Sequence, residues 1–286
     1  MNKPAKSVKP AGAKENVPVL DAPILDTPIL DTPILGQAFG AYRERGPMPA
    51  LQRHFTCVWF HAVPQDGPGQ SAIVPDGCAD LLWYDGSLRV AGPDRQAKIE
   101  TVAPGTTVVG LRFQPGAALH WLGVPVSEIV DTRPSLECFW GARAHRLAQW
   151  IGEASTPEGI AQRLESAMAQ RVADIALPDD VAPAIFHVVG KRRDYSIAVM
   201  HRLRNDLALS ERTLRRRCHE AFGYGPKTLD RILRFQRFLK LARMPGVAGM
   251  AELAADAGYS DQSHLTRETC DLAGLTPSNI RAQFTR

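Results

Sequence analysis

The chain has 286 residues, 44% hydrophobic and 22% charged, with a net charge of +4. That is an ordinary globular composition, long enough for two domains. No apolar run approaches the roughly 18 residues of a membrane helix, and no continuous apolar stretch follows the Lys- and Pro-rich start, which argues against a membrane span and a secretory signal.

The five cysteines, Cys57, Cys78, Cys138, Cys218 and Cys270, are odd in number and widely spaced, with no C-x-x-C. Neither a disulfide framework nor a zinc ribbon is expected, and a reducing cytoplasm is the simplest location. No metal and no cofactor are expected. The net charge hides an asymmetry. From Lys191 to Arg286 there are 18 Lys and Arg against 10 Asp and Glu, a net of +8, while the remainder carries 16 against 20, a net of −4. A basic C-terminal third is the electrostatic footprint of a nucleic-acid-binding domain. An Arg-rich solvated helical surface gives the same count, so charge alone does not decide.

Residues 1–36 read as a tail. A pentapeptide recurs as Asp21-Ala-Pro-Ile-Leu25, Asp26-Thr-Pro-Ile-Leu30 and Asp31-Thr-Pro-Ile-Leu35. Proline every five residues forbids helix and breaks strand ladders, so polyproline II or disorder is expected, as a neutral repeat expansion.

Residues 37–178 are assigned to an N-terminal regulatory, effector-binding or dimerisation domain. Short apolar runs at Phe55–Phe60, Leu81–Tyr84, Leu88–Ala91 and Thr106–Phe113 are separated by turn signals, among them Asp85-Gly86, a hairpin turn. An antiparallel sandwich or partly closed barrel follows. The period then changes. Leu136, Phe139, Trp140, Leu147, Trp150 and Ile151 recur at helical spacing, and a second helix opens near Thr156-Pro157 and runs through Val172. Leu177-Pro178-Asp179-Asp180 is a breaker, and the domain boundary is placed there.

Residues 179–286 are helical throughout. Helices are expected over Asp180–Gly190, from Ser196 to about Asn205, and from Ser210, whose hydroxyl suits an N-cap. In this third helix Leu214, Cys218 and Phe222 form one buried side, while Arg212, Arg215, Arg216 and His219 occupy the remaining arc. Lys227–Leu241 is a longer helix. A second helix–turn–helix follows, with Met250–Ala257, the turn Gly258–Gln262 and a helix over Ser263–Leu272, before a last element at Asn279–Phe284. The same layout thus occurs twice.

The first unit, Ser210-Glu-Arg-Thr-Leu-Arg-Arg216 with Gly223-Tyr-Gly-Pro-Lys227 and Arg231-Ile-Leu-Arg-Phe235, resembles the AraC/XylS family patterns S-x-R-x-L-x-R, G-x-x-P-K and R-x-x-R-F. The second, Gly258-Tyr-Ser-Asp-Gln-Ser-His-Leu-Thr-Arg267 with Gly274-Leu-Thr-Pro277, resembles that family's closing signature. The front part, through Val74–Leu81, Gly92-Pro93 and Gly110–Gly116, is similar to an N-terminal domain found in a subset of such regulators. Four positions depart from the family. Cys218 and Thr269 stand where Phe is usual, Arg204 where a small residue is usual, and Ala208 where Gly is common.

The fold class expected is therefore α+β multidomain, a β-rich N-terminal domain with flanking helices plus an all-α C-terminal domain with two helix-turn-helix units. The resemblance implies a sequence-specific DNA-binding transcription regulator, not an enzyme. It implies DNA contacts from Arg212, Arg215, Arg216 and His219 in the first unit. In the second they come from Gln262, Ser263, His264, Thr266 and Arg267. For Arg216 and Arg267 an ion pair within the domain is the rival reading. Double-stranded DNA and RNA polymerase are the expected partners, with a small-molecule effector and a second copy of the chain as further candidates, and no membrane. Arg112, a charge in the middle of an apolar strand, is the effector candidate, against the stronger alternative of an ion pair with Asp76 or Asp80.

Other chemistry is weak in the sequence. No G-x-S-x-G, Walker loop, dinucleotide fingerprint or H-E-x-x-H occurs. His54, Cys57, His61 and Cys78 invite a metal reading, but strand alternation sets His54 opposite Cys57 and His61.

Overall fold

In the computed structural model of the chain, residues 35–36, 40–66, 69–190, 199–244 and 249–284 are described. The repeats up to residue 34 lie outside them, as does the expected helix start at Ser196. The last repeat residue, Leu35, does not behave as a free tail. It is fully buried, forms a parallel bridge with Ala72, and its N–H donates to Gln283 Oε1 at 2.9 Å.

Among the described residues seven strands form two sheets. The larger is antiparallel with order β1-β2-β7-β4-β5, and β3 pairs with β6 in a separate ribbon. The strands are β1 (Ala41–Arg45), β2 (Phe55–Ala62), β3 (Gln70–Ile73), β4 (Asp80–Tyr84), β5 (Ser87–Ala91), β6 (Lys98–Thr101) and β7 (Thr107–Phe113). The four expected apolar runs are β2, β4, β5 and β7. Asp85 and Gly86, at φ 48° and 71°, make the expected tight turn between β4 and β5. The strands β1, β3 and β6 were not expected, because none carries an apolar alternation.

Alternation gives the large sheet one apolar face. Val58, Phe60, Leu81, Trp83, Val90, Val109 and Leu111 are buried in one cluster with Trp121, Ile151, Leu164 and Met168. Those partners lie on α1 (Ala117–Leu122), α3 (Ala142–Gly152) and α4 (Pro157–Ala169). The short α2 (Glu137–Trp140) precedes α3. The single helix expected over 136–151 is broken at Gly141, which adopts φ 55° and ψ −145°, a conformation closed to other residues. Thr156 caps α4 through its hydroxyl, with Pro157 in the first turn as expected; α4 stops at Ala169, short of Val172.

His54 falls outside β2. It is buried, and its Nδ1 accepts from Trp121 Nε1 at 3.2 Å. Burial, with His120 and Arg53 nearby, lowers its pKa, as suits a neutral acceptor. Among the described residues no group of three His, Cys, Asp or Glu is placed to hold a metal ion, and no helix is long and apolar enough to cross a membrane.

The described elements of the C-terminal part are all helices: α5 (Val181–Gly190), α6 (Val199–Leu207), α7 (Glu211–Phe222), α8 (Pro226–Ala242), α9 (Met250–Ala257), α10 (Gln262–Ala273) and α11 (Pro277–Phe284). Its core draws in Leu35, Ala72 and Val74 from the N-terminal part. The two parts are also hydrogen-bonded to each other. Gln236 Nε2 on α8 donates to Pro75 O at 2.6 Å, and Ala97 N–H donates to Leu272 O on α10 at 2.7 Å.

A candidate nucleic-acid interface

Each helix-turn-helix unit begins from a cap. In the first, Ser210 Oγ accepts from Thr213 N at 3.2 Å; in the second, Asp261 Oδ1 accepts from His264 N at 2.7 Å. That backbone bond and one from the Ser260 hydroxyl hold the Asp261 carboxyl below its usual pKa, so it remains an acceptor-only cap. Sequence reasoning placed Asp261 in the turn and started the helix one residue late. Four and eight residues beyond the caps lie Leu214 and Cys218 in one unit, Leu265 and Thr269 in the other, all fully buried. The two units thus repeat cap, register and buried face.

Two of the departures from the family pattern, Ala208 and Thr269, are absorbed locally. Ala208, in the first turn, takes the left-handed conformation at φ 52° that glycine would adopt freely. The turn keeps its geometry at a cost of about 1 kcal/mol. Thr269 hides its hydroxyl by donating to Leu265 O and Thr266 O, each at 3.0 Å. Burial pushes the Cys218 thiol up to about 12, and the Cys57 thiol to about 12, so both are protonated at neutral pH and neither is a poised nucleophile.

On the opposite arcs, Arg212, Arg215, Arg216 and His219 are exposed along α7, and Gln262, Ser263 and Arg267 along α10. His264 and Thr266 are half-buried. The Thr266 hydroxyl donates to Gln262 O at 2.9 Å, and the His264 ring meets Tyr259 edge-on with centroids 5.3 Å apart. Burial lowers the His264 pKa, with Arg234 and Arg267 acting in the same direction, and these outweigh Glu268 and Asp261. Arg215 pairs with Glu211 at 2.6 Å and Arg216 with Glu220 at 2.7 Å, one helical turn away in each case. The ion pair weighed for Arg216 as the rival of a DNA contact is therefore present, and Arg215 has one that the sequence does not indicate. Arg212 and Arg267 have no ion pair among the described residues.

Two arginines of α8 prove structural: Arg231, which the sequence presents only as part of a motif, and Arg237, which no sequence reading singles out. Arg231 on α8 reaches Glu268 at 2.8 Å and Asp271 at 3.3 Å, tying α8 to α10. Arg237 donates to Ala257 O at 2.9 Å and Gly190 O at 2.7 Å, closing the C-terminal ends of α9 and α5 with one guanidinium. For Arg231 the signal is the family spacing, which does not distinguish a DNA contact from an internal clamp; Arg237 lies outside that pattern.

Arg112 lies on the face of the large sheet away from its core. It pairs with Asp76 at 2.8 Å and Asp80 at 3.0 Å, both of the partners weighed from the sequence. Burial acts against its charge, and the two carboxylates outweigh that, raising its pKa. It also lines a groove of about 950 Å3 with Asp76, Cys78, Phe186, Leu233 and Lys240, between this sheet face and α8.

Residues 203–283 match the helix-turn-helix domain family, and residues 43–135 match a domain of unknown function, DUF6597. No curated protein sequence matches the chain. Among solved structures it is similar to ToxT from Vibrio cholerae O395, at 11% identity over 80% of this chain and 96% of that one, with a TM-score of 0.43. It is also similar to a P21 crystal form of ToxT from Vibrio cholerae, at 10% identity over 86% and 98%, TM-score 0.43. A third is ToxT from Vibrio cholerae O395 bound to (E)-4-(8-methylnaphthalen-1-yl)but-3-enoic acid, at 11% over 85% and 99%, TM-score 0.44. With its doubled units and the signatures they carry, the C-terminal part of this chain is a helix-turn-helix domain of the AraC/XylS type, the DNA-binding module of transcription regulators.

Proposed function

We propose that the chain is a sequence-specific transcription regulator whose α7 and α10 enter successive major grooves of double-stranded DNA. The observation that carries this reading is the repeated arrangement of cap, buried side and exposed polar side on two helices of one domain. Arg212, Arg215, Arg216 and His219 form the first contact surface, and Gln262, Ser263, His264, Thr266 and Arg267 the second. Arginine donates bidentately to guanine and glutamine to adenine, while hydroxyls suit phosphates or base edges. Two such helices on one face of the duplex read half-sites about 34 Å apart. The proposal extends to residues 1–36 as a tail whose last residues, at Leu35, are anchored on the folded part, 37–178 as the regulatory domain and 179–286 as the reader, working in the cytoplasm with RNA polymerase. A small effector in the groove beside Arg112, or a second copy of the chain, supplies control.

Selection from random duplex DNA by the full chain tests the reading. The expected product is an enriched site with two conserved blocks about one helical turn apart, bound less tightly as salt rises because phosphate counterions are released. Recovery of unenriched sequence would overturn it. A footprint confined to a single major groove would make α10 structural and remove the two-groove arrangement.

A further inference from the structure

The loop from Gly92 to Lys98 is built around Asp131. Asp131 sits in the left-handed region at φ 59°, and its N–H donates to Pro93 O at 3.2 Å. Its carboxylate accepts from Arg95 N at 2.8 Å and Arg95 Nε at 2.7 Å, and its carbonyl accepts from Lys98 Nζ at 2.6 Å. Two residues on, Arg133 donates to Gly92 O at 3.2 Å, pairs with the buried Asp94 and reaches Glu100 at 3.2 Å. The loop is held at its start, middle and end.

Held in this way, it meets the C-terminal ends of both helices in the candidate interface. Gly223, the left-handed cap of α7, lies so close that an added Cβ would stand 2.2 Å from Val130 Cγ2, 3.2 Å from Val126 O and 3.3 Å from Pro93 Cγ. At the other end of the loop, Ala97 N–H donates to Leu272 O at 2.7 Å. Leu272 is in the last turn of α10, where carbonyls have no partner within their own helix. Ala97 is thus bonded to the end of α10, while Pro93, four residues earlier on the same braced loop, lines the end of α7 together with Val126 and Val130 of the segment that leads into Asp131.

The rod α8 is the covalent link between the two units; both pack on it in one core, and Arg231 ties it to α10. None of these contacts joins the end of α7 directly to the end of α10; a bridge between those ends adds a restraint on their separation and angle. We propose that loop 92–98, braced by Asp131 and Arg133, is the spacing-determining element of the DNA reader. It fixes the separation and angle of α7 and α10, and so the half-site spacing the protein accepts. The N-terminal part thereby sets which arrangement of half-sites is read without touching a base. This inference rests on the reading that both helices enter DNA.

The test uses the full chain and the DNA site selected by the unaltered protein, with its two blocks moved apart or together by one and two base pairs. Asp131→Gly removes the carboxylate and keeps a residue at home with positive φ. Ala97→Pro removes the single N–H donated to Leu272. Circular dichroism and thermal melting identify which variants fold. The unaltered protein should lose roughly tenfold in affinity for each mis-spaced site, the scale of forcing DNA to bend or twist. A folded variant should bind all spacings within about threefold, with the base preference inside each block unchanged. If both variants fold and keep the original spacing optimum and its steepness, the loop is not the spacer and the inference falls, while the DNA reading stands. If the unaltered protein selects no site, the reading falls and takes the inference with it.

Discussion

Arg112 and Asp80 face each other as a register pair across β7 and β4, with Nε 3.0 Å from Oδ1, and the indole of Trp59 donates to the same oxygen at 3.1 Å. Asp76 completes the arrangement from the loop before β4. Removing the guanidinium leaves Asp80, only 10% exposed, without its charge partner. Arg112→Ala should therefore destabilise the protein by about 3 kcal/mol, because an uncompensated buried charge is costly. Arg112→Ala combined with Asp80→Ala should recover part of that loss. Urea unfolding of the three proteins checks this; a single-variant loss below about 1 kcal/mol would show the pair to be dispensable and leave Arg112 available for a ligand.

The exposed arginines of α7 and α10 are held differently, and this predicts a ranking. Arg212 and Arg267 are exposed and have no ion pair among the described residues, so Arg212→Ala and Arg267→Ala should each cost about 1–3 kcal/mol in DNA affinity if they read bases. Arg215 first has to leave Glu211, an exposed pair worth about 0.3–0.5 kcal/mol. Glu211→Gln should accordingly tighten binding about two- to fivefold, by freeing Arg215 and removing a negative charge near phosphate. Weaker binding by Glu211→Gln would mean that the pair orients Arg215 rather than competing with DNA.

Thr269 occupies a position where related domains usually carry Phe, yet it is fully buried with its hydroxyl satisfied inside its own helix. The core around α10 is closed over the smaller side chain. Thr269→Val should change stability by less than about 1 kcal/mol, since shape is kept and the helix bonds do not need the hydroxyl. Thr269→Phe, although it restores the family residue, should cost about 1–3 kcal/mol through overpacking. Thermal melting of both variants decides it, and a more stable Phe variant would reveal unfilled space in this layer.

Asp131 gives a pH prediction. Burial raises its pKa, but the hydrogen bonds from Arg95 and the charges of Arg95 and Lys98 outweigh it, so the folded pKa lies below the unfolded one. A depressed carboxyl contributes stability that is present above its unfolded pKa of about 3.9 and is lost as pH falls through the folded value. Asp131→Asn should be less stable than the unaltered protein by about 2 kcal/mol at pH 7, and the gap should close below about pH 4. Denaturant titrations from pH 7 to pH 3 measure it; a gap that stays constant with pH would assign the loss to backbone geometry.

Much of the architecture was legible because it is written in short-range pattern. The four apolar strands, the Asp85-Gly86 turn, the helix start at Thr156-Pro157 and the Ser210 cap follow from alternation, the fixed φ of proline and local hydrogen-bond chemistry. Strands β1, β3 and β6 were not legible. Five exposed residues in β1, Ala41–Arg45, are strand only because β2 supplies partners. The break at Gly141 was hidden by an apolar period that runs on either side of it.

The sequence by itself determined the composition of the two units: which residues on α7 and α10 face inward, which face out, and that one layout occurs twice. These properties depend on neighbours three or four positions away, and a helix places such neighbours on one side wherever it sits. Only the tertiary structure decided what Arg112, Arg231, Arg237 and Asp131 do, since each is defined by partners far away in the chain. Charge and spacing are the same for an arginine that meets phosphate and one that closes the ends of two helices; the difference lies in which carbonyls and carboxylates the fold brings within 3 Å of it.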